Sequence, residues 1–377
     1  MKLLSFKNFK NKYKLKDYKF ALIISVLALS CLGIMVIGSA KESVQGRQIQ
    51  GLILGVAVML VISLIDYVWV LRFYWLIYAF NIVILLAVEL LGSDANNATR
   101  WIDIGPIRFQ PSELSKILLI LFFAKFIMEH EDSLSEFKTI LKAGLLMVPT
   151  AILIFLQPDL STMISIVLVF CVLLYVGGLS YKVIGTVLLI LIPTAIIFIS
   201  IVTQPNQPFL KDYQQERILA FLEPEKYADD TAYQQTNSVM AIGSGQLTGK
   251  GLNNNTTTSL KNGNYISEPQ TDFIFAIVGE ELGFIGCCIV IGLLLLIVIQ
   301  CIIIGAKAQD LAGRIICCGV AIQIGFQSFI NIAVTTGIIP NTGLPLPFVS
   351  YGLTSLVSLL MGIGLVLNVG LQPKKYQ

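Results

Sequence analysis

Apolar runs about twenty residues long recur from one end of this chain to the other, and nothing else in it constrains the fold as strongly. They can be read at 20–40, 47–65, 73–92, 112–128, 144–157, 160–178, 183–202, 274–305, 315–339 and 351–370. Roughly twenty residues of α-helix cross the ~30 Å hydrocarbon core of a bilayer, where every backbone polar group must be satisfied within the protein. The expectation is an all-α polytopic membrane protein of ten transmembrane helices, with a large external loop between helices 7 and 8. A hydrophobic fraction of 55% and a charged fraction of 13% exclude a water-soluble domain, in which about 25% charge is usual. The fifth run is short and contains Pro149, and the eighth opens with Glu280 and Glu281, which puts its first turns near the surface.

Basic residues set the orientation. With both termini on one side, that side carries sixteen of the 26 Lys and Arg, seven of them in the first twenty residues. Of the other ten, five fall in the long loop, which lies outside the positive-inside count, so the comparison is sixteen against five and both termini are expected to be cytoplasmic. The chain then divides into a basic cytoplasmic N-terminus (1–19), helices 1–7 (20–202), an extracellular loop (203–271), helices 8–10 (272–370) and a cytoplasmic C-terminus (371–377). Gly38-Ser39-Ala40 resembles a signal-peptide cleavage site, but the preceding apolar run exceeds the usual 7–15 residues and reads as an uncleaved anchor. The seven cysteines all sit in apolar runs without metal-ligand spacing, and the one histidine, His130, lies in the acidic stretch Glu129-His-Glu-Asp132.

Polar and conformationally special residues collect on the external side. Asp272 stands where the long polar segment meets the eighth apolar run. An ionised Asp moved toward the bilayer centre costs about 2.5–3.5 kcal/mol on insertion scales, so it is a functional-site candidate; it also suits a helix N-cap. Glu113 and Lys116, three apart at the start of a span, share a helical face and read equally as a packed ion pair or as substrate contacts. Asp159, in Gln157-Pro-Asp-Leu-Ser-Thr162, is a second external acid and a candidate cap for the next helix. Trp101 suits an interfacial belt. The stretch Thr336–Gly352, rich in Pro and Gly, reads as a re-entrant or broken-helix turn.

The glycine-rich run Ala241-Ile-Gly-Ser-Gly-Gln-Leu-Thr-Gly-Lys-Gly251 has the spacing of neither a P-loop nor a dinucleotide fingerprint. Two readings remain: a flexible surface loop, or a backbone that approaches an anionic headgroup with Arg217 and Lys250 as phosphate partners. No nucleic-acid partner is expected.

Six segments, in order, resemble the SEDS family (shape, elongation, division and sporulation) of membrane peptidoglycan polymerases, which includes RodA and FtsW. They are Arg100-Trp101-Ile102, Gln110–Lys116, Gln157–Leu160, Ala241–Gly245, Thr271–Phe275 with Glu280–Gly283, and Gly343–Gly352. The compact length and Gln157-Pro158-Asp159 lean toward the RodA-like elongation branch. Leu353-Thr354 and Gln246 depart from the family pattern at positions that affect turn geometry. The resemblance implies a multi-pass protein of the bacterial plasma membrane that polymerises lipid II, with Asp272 matching the family's essential acid. It implies substrate contacts from Arg100, Trp101, Glu113, Lys116, Asp159, Arg217, Lys250 and Ser350. Its expected partners are lipid II, the undecaprenyl-pyrophosphate-linked glycan and a class B penicillin-binding protein. No cofactor is evident, and a divalent cation, Mg²⁺ or Mn²⁺, is compatible with the scattered carboxylates.

The chemistry agrees. An acceptor sugar hydroxyl that attacks the donor's anomeric carbon needs a general base, whereas pyrophosphate leaves without an acid once cations neutralise it. One carboxylate with Arg and Lys suffices, unlike the two carboxyl groups of an inverting hydrolase. The rival readings are a lipid II flippase, which would gather polar residues at the midplane of repeated halves, and a scaffold for wall enzymes. The external clustering and the lack of an internal repeat argue against the flippase.

Overall fold

A computed structural model describes residues 18–372 apart from 96–97, 106, 203, 205–211, 224–225, 227–230 and 254–267. Most of the expected basic N-terminus, through residue 17, and Lys374 and Lys375 lie outside the described residues. The chain is mainly helical: α1 Phe20–Ala40, α2 Glu42–Leu64, α3 Tyr67–Val70, then a 3₁₀ turn Leu71–Phe73 running into α4 Tyr74–Leu91. After a small sheet come α5 Pro111–Glu129, α6 Phe137–Leu156, α7 Leu160–Val176, α8 Tyr181–Val202, α9 Asp212–Leu222, α10 Thr231–Ser244, α11 Ile274–Ala306, α12 Leu311–Thr335 and α13 Leu353–Leu371.

Seven helical stretches among the described residues are long and apolar enough to cross a membrane: α1, α2, Tyr67–Leu91, α6, α11, α12 and α13. Helices α5, α7 and α8 occupy the stretches read as the fourth, sixth and seventh spans. Of these, α5 carries Glu113, Lys116, Lys125 and Glu129, and α7 has 17 residues. Two helices, α9 and α10, lie within the segment expected as the large loop.

The all-α expectation misses a three-stranded antiparallel sheet of β1 Ser93–Ala95, β2 Ala98–Ile104 and β3 Ile107–Phe109. The period-two sequence Ile102-Asp-Ile104 pairs with Ile107-Arg-Phe109, and Gly105, at φ +61°, supplies the positive φ that tight hairpins need. This sheet leads straight into α5, whose first residue is Pro111, favoured there because its missing N–H would have no helical partner.

The core is apolar, but large apolar side chains also cover the outside and polar ones are buried within. Ile24, Ile53, Leu76 and Leu90 lie bare on the outside, whereas Gln323, Gln327, Asn331, Asn368 and Ser115 are buried. In lipid the outer face gains nothing from polarity, and association between helices rests on close packing and hydrogen bonds. Helices α5, α12 and α13 form the centre. Helix α2 lies against α13 through small residues: a Cβ on Gly55 would fall 2.4 Å from Leu360 Cδ1, and one on Gly364 2.7 Å from the Met59 carbonyl oxygen.

Helix α11 is broken at Gly283, where φ 65° and ψ −164° interrupt the helical path. Its loose backbone groups are taken up by the glycine-rich segment. Lys250 and Gly251 donate their N–H groups to the carbonyls of Glu280 and Glu281, both at 2.9 Å, while Phe284 and Ile285 donate to the carbonyls of Gln246 and Leu247 at 2.8 and 3.2 Å. The approach leaves no room for side chains: a Cβ on Gly245 would stand 1.9 Å from the Gly279 carbonyl oxygen, and one on Gly249 2.1 Å from that of Glu281. Glu280 and Glu281, expected near the surface, are buried.

Candidate active site

Asp272 lies in the turn that precedes α11, and its backbone is held from three directions. The carbonyls of three successive residues each accept a hydrogen bond: Gln270 from the Tyr351 N–H at 2.8 Å, Thr271 from the Ser350 hydroxyl at 2.6 Å and Asp272 from the Asn331 carboxamide at 2.8 Å. The cap reading of Asp272 does not hold. Helix α11 starts at Ile274 with Phe273 in the N-cap position and no side-chain cap, so the carboxylate is one residue too early to close the first turn.

The segment between α12 and α13 forms the facing wall. It has no regular structure after its opening turn, and it buries Leu344, Leu346, Phe348 and Val349, as a broken stretch at membrane depth must if its backbone is to be paired within protein. Gly343, at φ +75°, comes closest to the acid: a Cβ there would stand 3.5 Å from Asp272 Oδ2 and 3.6 Å from Arg217 Nη1. The carboxylate and the guanidinium thus border the same glycine.

Arg217 comes from α9, and Arg100 reaches in from β2, where its guanidinium donates to the carbonyls of Gln157, at 3.2 Å, and Pro158. Asp159 follows directly and caps α7 as expected, its Oδ1 accepting from the Thr162 N–H at 3.3 Å and its Oδ2 from the Gln110 amide at 3.4 Å. Ser161 ties this corner to the facing wall through the Thr342 carbonyl. The net effect on Asp272 is a pKa above the ordinary carboxylate value. Burial is the largest cause and outweighs the opposing pull of Arg217 and Arg100, while the negative charges of Glu268 and Asp159 push the same way as burial.

The other expected contacts sort differently. Trp101 is half-buried, next to Arg100 on β2. Lys116 and Glu113 form a fully buried pair at 2.7 Å, and the Lys116 ammonium also donates to Gln327 Oε1 at 3.3 Å, so it is spent inside the helix bundle. Lys250 pairs with buried Glu280 at 2.8 Å, beside the α11 break. The glycine run, read as either a flexible surface loop or a backbone approaching a headgroup, exchanges backbone hydrogen bonds with α11. The Ser350 hydroxyl donates to Thr271 and accepts from the Leu346 N–H at 2.7 Å, which fixes the turn before Asp272.

Sequence reasoning passed over Asn331, Gln327, Glu268 and Gln48. The first two had a signal: Gln323, Gln327, Asn331 and Thr335 recur every four residues in an otherwise apolar span, a buried polar stripe on one helical face. Gln48, on α2, donates to the Ser350 carbonyl at 3.1 Å and accepts from the Gly352 N–H at 3.2 Å. It lies among Gln45, Arg47 and Gln50 in the polar first turns of that helix, where nothing in the sequence sets it apart from its neighbours. Among the described residues, no group of three or more His, Cys, Asp or Glu side chains is placed to hold a metal ion.

The profile of the cell cycle protein family that comprises FtsW, RodA and SpoVE matches residues 16–375. The chain is 33% identical over 370 residues to peptidoglycan glycosyltransferase MrdB of Escherichia coli K12, covering 96% of this chain and 95% of that one. It is 32% identical over 386 residues to a probable peptidoglycan glycosyltransferase FtsW of Geobacter sulfurreducens, covering 97% and 98%. Among solved structures, the rod shape determining protein RodA of Thermus thermophilus superposes with a TM-score of 0.69 at 26% identity, over 94% of this chain and 96% of that one. A chain from a peptidoglycan synthase complex, in a study of how polymerization and crosslinking are coordinated, gives 0.76 at 28% identity, over 94% and 97%. The chain is a member of the FtsW, RodA and SpoVE family, the SEDS proteins.

Proposed function

We propose that this protein is a peptidoglycan glycosyltransferase that polymerises lipid II into glycan strands for cell-wall synthesis, with Asp272 as the general base. The observation that carries the reading is that a carboxylate, Asp272, and a guanidinium, Arg217, both border Gly343, at the meeting point of segments from distant parts of the chain. A base works best with a pKa near the operating pH, and burial moves Asp272 in that direction. The acceptor hydroxyl gives its proton to the Asp272 carboxylate as its oxygen bonds to the donor's anomeric carbon. The bond from that carbon to the pyrophosphate oxygen breaks, and the electron pair leaves with undecaprenyl pyrophosphate. Arg217 and Arg100 face the charge that develops there. A divalent cation, were one to take part, would draw most of its ligands from the pyrophosphate and water.

The ten-helix topology with both termini cytoplasmic belongs to this proposal, since it puts the Asp272 turn on the side where the wall is built. So does a class B penicillin-binding protein as partner, in line with the resemblance to a chain from a complex that couples polymerization to crosslinking. Compact length and Gln157-Pro158-Asp159 favour a role in elongation. The test is purified protein, with its partner, given labelled lipid II in detergent, where there is no membrane to flip across. Polymer is expected from the wild type and not from Asp272→Asn. No polymer from either would favour a flippase, and polymer from Asp272→Asn would remove the base assignment.

A further inference from the structure

We infer that Asn331 is a positioning residue for Asp272: its carboxamide ties the Asp272 turn and the Gly343 wall to the rigid helix α12. The inference rests on the proposed role of Asp272. Asn331 is buried, and its Nδ2 donates to two carbonyls at once, that of Asp272 and that of Leu344, each at 2.8 Å. A primary amide has two N–H groups on one nitrogen, and here both are used. Its oxygen accepts no hydrogen bond among the described residues, so the contacts seen rest on the donors. Leu344 directly follows Gly343, the residue against which Asp272 and Arg217 meet. One side chain therefore sets the separation of the acid from the wall opposite.

The other two bonds to this turn do less. Ser350 and Tyr351 stand on the same irregular segment that they brace, so they move with it. Asn331 stands on a helix, and sites referred to regular elements are held more closely than sites built on loops alone. One turn earlier on α12, Gln327 repeats the device. Its Nε2 donates to the next carbonyl, Pro345, at 2.9 Å, and its Oε1 accepts from Lys116 at 3.3 Å. Lys116 thereby reaches the wall beside Asp272 through Gln327 without touching the acid. A further turn back, Gln323 is fully buried with neither amide atom hydrogen-bonded among the described residues, which makes it a control on the same face.

The experiment is a pH–rate profile of lipid II polymerisation for Asn331→Ala, Asn331→Asp, Asn331→Ser and Gln323→Leu, each purified with the wild type's partner. Misplacement of a reacting group by about 1 Å can cost on the order of 10²-fold. Asn331→Ala is expected to lower kcat by that order while KM for lipid II stays near the wild-type value. The acid limb should move to higher pH, because a carboxylate that drifts from Arg217 loses the charge favouring its ionised form. Asn331→Asp, nearly isosteric but without donors, should lose at least as much. Asn331→Ser, which keeps one donor and serves if the Ala variant does not fold, should retain more activity, and Gln323→Leu should leave the profile unchanged. Loss of activity with the acid limb in place, or wild-type kcat in Asn331→Ala, would overturn the inference. A fully active Asp272→Asn would instead remove the base assignment on which it stands, so the two failures are distinguishable.

Discussion

Asp272 Oδ2 and Arg217 Nη1 meet at the same face of Gly343, 3.5 and 3.6 Å from the point where its Cβ would stand. Glycine is favoured there by its φ of +75°, and an added methyl group would sit in van der Waals contact with both acid and guanidinium. Gly337 has the same φ of +75°, and a Cβ there would meet the Val239 side chain more tightly, at 3.3 Å, but neither acid nor guanidinium.

Gly343→Ala and Gly337→Ala are therefore expected to cost similar stability, about 1–2 kcal/mol for a left-handed L-residue. They should differ in activity. Gly343→Ala should lower polymerisation at least tenfold and Gly337→Ala should spare it, as read by thermal melting and the lipid II assay. Equal activities would mean that the space beside Asp272 and Arg217 is unimportant.

The raised pKa of Asp272 makes a stability prediction opposite in sign to that for most carboxylates. A folded-state pKa above the unfolded value means that folding favours the protonated form, so the stabilising contribution is full below the ordinary carboxylate value and is lost as pH rises through the raised one. Asp272→Asn should then melt higher than wild type at pH 7, with the gap closing near pH 4. A gap that widens on acidification would reverse the assigned direction.

Glu113 and Lys116 test as architecture. Removing either charge strands the other in the helix bundle and should cost about 3–5 kcal/mol, whereas Glu113→Leu with Lys116→Leu should recover most of it. Activity should recover less than stability, because Gln327 loses the ammonium that orients it. Full recovery of both would detach the pair from the site.

Gly249→Ala should destabilise strongly, since its Cβ would fall 2.1 Å from the Glu281 carbonyl oxygen at φ +79°, inside the exchange that repairs the α11 break. Gly46, in α2, has no atom within 4 Å of an added Cβ. There the same change should stabilise the helix by roughly 0.5–1 kcal/mol, by the usual advantage of Ala over Gly. Melting temperatures of the two variants provide the comparison.

Local and periodic features were legible in the sequence. The apolar runs from Phe20 to Leu371 announced a membrane bundle, because lipid imposes length and composition on any crossing helix. Asp159 was readable as a cap because capping spans only three residues. Asp272 stood out because an acid at the edge of an apolar run is costly wherever the chain goes. What only the tertiary structure decided were pairings across long stretches of sequence. Lys116 and Lys250 carry the same charge as Arg217, but Glu113 and Glu280 claim them while Arg217 borders Gly343 near Asp272. The glycines at 245 and 249 look as free as any loop until Gly283 breaks α11 beside them. Asn331 is one amide in a helix until its two N–H groups find Asp272 and Leu344. Each of these depends on which donors and acceptors the packed helices bring within reach of one another, which is settled by three-dimensional packing and leaves no mark in residue spacing.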